Sequence, residues 1–109
     1  MIIRETGFLN VLADFSFSEK ELVINPNDGF DLGLMQTEAT VLLFVGGGPD
    51  VFDDTNAQSI PARVVQKNEC RLGTVEMSLK HSKTLDNARK VRLHLAESEP
   101  YPKLLIYPG

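Results

Sequence analysis

Apolar and polar positions alternate with a period of two along much of this chain, in short runs separated by Gly, Pro, Asn and Asp. That spacing predicts strands rather than long helices. In residues 13–18 every second position is apolar, which predicts a half-buried strand with Ala13, Phe15 and Phe17 on one face. Leu22, Val23 and Ile24 form a second short run. It leads into Asn25-Pro26-Asn27-Asp28-Gly29, a sequence with the chemistry of a tight turn. The alternation resumes at residues 30–34, so the pattern predicts a hairpin around that turn. In residues 40–45 Thr40 is followed by five apolar residues without a break, which predicts a strand covered on both faces. Gly46, Gly47 and Gly48 then end it, and residues 49–59 read as a polar, acidic loop.

Residues 63–65 and 72–79 are predicted to pair through a turn at residues 67–71, with Val75, Met77 and Leu79 inward. Residues 80–90 read as a long loop with room for one helical turn capped by Asp86. Residues 90–95 restore the period of two and place Lys90, Arg92 and His94 outward. Residues 103–107 form a last strand, and the prolines at 102 and 108 suit a sheet edge. Two segments, 7–12 and 35–39, also fit a short helix. The pattern therefore predicts an all-β fold with at most one or two short helices, built as a small β-sandwich or β-barrel of about seven to nine short antiparallel strands. There is no internal repeat, and βαβ units would need long amphipathic helices that are missing here.

Composition narrows the class without changing that picture. With 109 residues and 42% hydrophobic content the chain reads as a single strand-rich domain spanning residues 1–109. The lone Cys70 excludes an internal disulfide and fits a reducing, cytoplasmic setting. The N-terminal residues mix charged with apolar side chains and carry no signal-peptide pattern. The longest apolar run, residues 41–45, falls far short of the roughly 20 residues of a membrane-spanning helix, so no membrane partner is expected.

Charge is distributed unevenly. Residues 1–54 hold ten acidic side chains against two basic ones, and residues 55–109 hold five against nine, within a net charge of −4. The sign reversal suggests association between an acidic and a basic half, head to tail, as in structural components of phage or secretion-type assemblies. The late basic residues Lys67, Arg71, Lys80, Lys83, Lys90 and Arg92 are the candidate interaction patch. Nucleic acid is disfavoured because there is no Trp and no aromatic residue interleaves with these cations.

Candidate chemistry is sparse. Gly46, Gly47 and Gly48 follow an apolar strand as a phosphate loop would, but no Lys-Ser or Lys-Thr comes after them. With Asp50, Asp53 and Asp54 they make a candidate ligand loop for calcium, a sugar or an anion, although the acids lack the EF-hand order. Cys70 lies in a predicted turn between Lys67 and Arg71, where positive charge lowers a thiol pKa, and His81 is its one candidate base. His94 reads as a surface residue and anchors no zinc site with its scattered neighbours. The sequence thus assigns no catalytic residue, no metal site and no cofactor. The expected function is a non-catalytic module that binds a protein partner or a second copy of itself, the alternative being a ligand-binding β-domain that uses the 46–54 loop.

Overall fold

The β-branched and aliphatic runs do become strands, and the computed structural model, described over residues 3–109, has eight of them. They are β1 (Ile3–Glu5), β2 (Leu9–Asp14), β3 (Glu21–Ile24), β4 (Glu38–Val45), β5 (Ile60–Gln66), β6 (Thr74–Ser78), β7 (Lys90–Ala96) and β8 (Lys103–Tyr107). Two one-and-a-half-turn helices join them, α1 (Pro26–Asp31) and α2 (Leu79–Thr84). The sheet order is β1-β7-β2-β6-β3-β5-β4-β8, and β8 pairs again with β7, so the sheet closes into a seven-strand β-barrel. β1 and β2 run along the same edge of β7 with a break at Thr6, whose hydroxyl accepts from the Leu93 N–H at 3.1 Å. Closure removes the open edges that an isolated sheet would expose.

The interior is a single apolar cluster. Leu22, Val64, Val75, Met77, Leu93 and Leu104 are all fully buried in it. Fully burying one such side chain contributes about 1.5–3 kcal/mol, so this cluster dominates the stability of the domain. A second cluster lies on the outer wall, where Phe44, Phe52 and Leu105 pack together and the Phe44 and Phe52 rings meet edge to face at 5.8 Å. β4 is therefore covered on both faces, as its continuous apolar run requires.

Several local expectations are corrected. Pairing is mixed rather than wholly antiparallel: β2–β6, β3–β5 and β4–β8 are parallel. The turn after β3 is a helix, because Asn25 caps it by accepting from the Asn27 N–H at 2.9 Å and Pro26 supplies the fixed φ of a first helical position. β5 and β6 do not form a hairpin, since β3 lies between them. β8 is paired on both sides and is no edge. The strand predicted over residues 13–18 ends at Asp14, whose carboxylate accepts from the Ser16 N–H at 2.8 Å and turns the chain. Residues 9–12, which also fitted a helix, are strand. Ser78 rather than Asp86 caps α2, and Asp86 and Asn87 follow its end with φ of 56°.

The topology also mixes the two halves of the sequence. Around the barrel the strands run β2, β6, β3, β5, β4, β8, β7, so each strand from residues 1–54 lies between two from residues 55–109, and only β8 and β7 are neighbours from the same half. Each ion pair then joins an acid of the first half to a base of the second: Glu21 to Arg63 at 3.3 Å, Glu38 to Arg63 at 3.8 Å, Glu19 to Lys80 at 2.8 Å and Glu5 to Arg92 at 3.5 Å. Four of the ten acids of the first half thus meet three of the nine bases of the second within one molecule.

Candidate functional site

The 46–54 loop is occupied with building the wall. Gly46 and Gly47 have φ of +90° and +86°, a region glycine enters without strain, and the Gly46 N–H donates to the Ile106 carbonyl at 2.8 Å. That amide is used inside the barrel and is not offered to an anion. Pro49–Asp53 forms a single 3-10 turn whose Phe52 is buried against Phe44 and Leu105, and Lys103 Nζ donates to the Phe52 carbonyl at 3.3 Å. Asp50, Asp53 and Asp54 are exposed. Among the described residues no three His, Cys, Asp or Glu side chains gather closely enough to hold a metal ion.

Cys70 is 1% exposed and donates weakly to the Thr74 carbonyl at 3.4 Å. Burial, reinforced by the charges of Glu76 and Asp28, pushes its thiol up to about 11, the reverse of the activation expected from Lys67 and Arg71. Its candidate base is engaged elsewhere, since His81 Nε2 lies 2.6 Å from the Glu19 carbonyl oxygen.

The six basic candidates fall in three places. Lys80 and Lys83 are on α2, which follows β6, while Lys67 and Arg71 precede β6 and so lie toward its opposite end. Lys90 and Arg92 are on β7, where Arg92 pairs with Glu5 and stacks over the Phe8 ring at 5.1 Å. Lys80 and Lys83 share α2 and Lys90 and Arg92 share β7, so no element carries more than two of the six.

Helix α2 borders a groove of about 710 Å³. One wall is the β2–β3 connection with Phe15, Phe17 and Glu19, and the other is α2 with Leu79, Lys80, Lys83 and Thr84. Its geometry is fixed by local polar bonds. Asp14 turns the chain before Phe15, the Ser18 hydroxyl accepts from the Lys20 N–H at 3.1 Å, and Ser78 caps α2 by accepting from the His81 N–H at 3.1 Å. The two walls are then tied through Glu19, whose carbonyl meets His81 and whose carboxylate meets Lys80. Lys80 holds that carboxyl below its usual pKa. The result leaves Phe15 87% exposed on a braced turn. Alternation placed Phe15 inward, so sequence reasoning missed this groove; Asp14 and Ser18, both strong turn formers, were the available signal.

A further cluster was also unforeseen. His94 points outward as expected but is 5% exposed, beneath Tyr107 and Glu5. Its Nε2 lies 2.9 Å from the Tyr107 hydroxyl and 3.1 Å from a Glu5 oxygen. Burial lowers the imidazole pKa against the opposing pull of Glu5, and Arg92 adds to the lowering, so the neutral ring is favoured. Among the described residues His94 Nδ1 and Arg92 Nε are buried without a partner.

Among the described residues no helix is long and apolar enough to cross a membrane. No protein-family model, curated protein or solved structure matches this chain.

Proposed function

We propose that this domain is a non-catalytic protein-docking module and that the groove between the β2–β3 connection and α2 is where its partner sits. The observation that carries the reading is Phe15, a large aromatic side chain held almost wholly in water by a turn that is itself braced by hydrogen bonds. Exposed aromatic anchors beside a rigid concavity are what protein interfaces use as their energetic centre. Phe17 and Leu79 extend the apolar lining, and Lys80 and Lys83 supply a charged rim. The inert Cys70 and the occupied His81 support a binding role over nucleophilic chemistry. Head-to-tail association of an acidic with a basic half is not carried forward, because the strands of the two halves interleave around the barrel and four of the acids pair with bases of the other half.

The test is a selection from a displayed library of random linear peptides against the immobilised domain. Enriched peptides are expected to lose binding to a Phe15→Ser variant by about thirtyfold or more, the scale of a hot-spot residue. They are expected to keep it for Phe30→Ser, which changes an equally prominent aromatic far from the groove. Peptides that ignore Phe15→Ser would remove the proposal.

A further inference from the structure

The groove does not end at α2. A second hollow of about 510 Å³, lined by Leu43, Val45 and Ile60 among others, shares Glu19, Lys80 and Thr84 with it. The Glu19–Lys80 ion pair, 2.8 Å long and partly open to solvent, therefore stands as a sill between two hollows, the first lined by Phe15, Phe17 and Leu79 and the second setting its aliphatic residues beside Gln58, Ser59 and His81. Resting on the docking reading above, we infer that the partner segment places a carboxylate between two apolar anchors, with the anchors in the two hollows and the carboxylate on the sill at Lys80.

Charge selects this occupant. Lys80 and Lys83 lie three residues apart on α2, on one face of the helix. Lys83 is exposed and has no carboxylate within ion-pair distance among the described residues. Glu19 is the single acid on either lining and is already engaged by Lys80. A basic partner would face two like charges, whereas an acidic one meets Lys83 directly and competes with Glu19 for Lys80. An exposed ion pair contributes little against solvent screening, so an incoming carboxylate backed by apolar burial displaces Glu19 at small cost. Main-chain bonding of Glu19 to His81 keeps the turn in place when its carboxylate swings away.

Two substitutions of opposite sign test this on the full chain. Peptides enriched by the display selection should carry Asp or Glu flanked on both sides by aromatic or aliphatic residues. Glu19→Gln frees Lys80 and should tighten their binding about two- to fivefold, while Lys80→Gln leaves Glu19 facing the partner's acid and should weaken it about five- to tenfold. Both side chains are exposed enough that thermal unfolding should move little, which separates a binding effect from a folding one. Raising salt should weaken the complex. Peptides that need Phe15 but carry no acid, or bind Glu19→Gln and Lys80→Gln equally, overturn the inference and leave the docking groove standing. Peptides indifferent to Phe15→Ser, or no enrichment at all, overturn both.

Discussion

The two ends of the barrel are each closed by a short helix, and they are closed in different ways. At the α1 end, polar side chains fasten the helix and the segment after it to distant parts of the chain. Asn25 Nδ2 donates to the Cys70 carbonyl at 2.9 Å, the Asp28 carboxylate accepts from the Gly73 N–H at 2.9 Å, and Gln66 Nε2 donates to the Gln36 carbonyl at 2.6 Å. At the α2 end, the long-range side-chain bonds converge on one residue, Glu19. Both ends expose apolar side chains, but the hollow beside Phe30 and Met35 measures about 300 Å³ and has no charged lining, whereas the α2 groove is larger and carries three charges. The α1 end behaves as a structural plug. The α2 end keeps aromatic surface and charge side by side in solvent.

Substitutions at the plug should cost stability and leave docking intact. Asn25→Ala removes the cap of α1 and strands the Cys70 carbonyl, which together should cost about 2 kcal/mol, read as a lower urea midpoint with an unchanged slope. Gly29→Ala comes next, because a Cβ there would occupy the space of the Gln66 amide; overpacking of this kind costs about 1–3 kcal/mol, with the low end expected where a long side chain yields.

The outer wall should respond to pH. The folded pKa of His94 lies below its ordinary 6.5, so the unfolded chain takes up the proton more readily. The stability that His94 contributes is present above pH 6.5 and is lost as pH falls through the folded value. His94→Gln should flatten that acid-side decline in thermal unfolding between pH 7 and pH 5. Smallest of all, Phe15→Ser should alter stability by no more than about 0.5 kcal/mol, since an exposed ring has little packing to lose. A loss of several kcal/mol would mean that Phe15 is part of the core and would erase the contrast between the ends.

The barrel was legible where chemistry is local. The continuous apolar run at residues 41–45 announced a strand with two covered faces, and the alternation at residues 90–95 announced β7. What stayed hidden depends on partners far along the chain. The parallel pairing of β2 with β6 needs residues about 64 positions apart in sequence to meet, and no period of two specifies which strand lies alongside. His94 pointed outward as its alternation required, yet Tyr107 and Glu5 bury it. The groove was lost for a different reason: residues 13–18 satisfied the strand pattern, while the turn chemistry of Asp14 overrode it. The uneven charge along the sequence was real, but its meaning changed once the strands of the two halves interleaved.

The most direct measurement compares the two ends in one assay, with peptides from the display selection titrated against the unaltered domain, a Phe15→Ser/Phe17→Ser variant and a Phe30→Ser/Met35→Ser variant, each checked by thermal unfolding. Binding that collapses in the first variant and persists in the second is the expected result. Binding that survives loss of Phe15 and Phe17, or that depends instead on Phe30 and Met35, would contradict the assignment of the α2 groove as the docking surface.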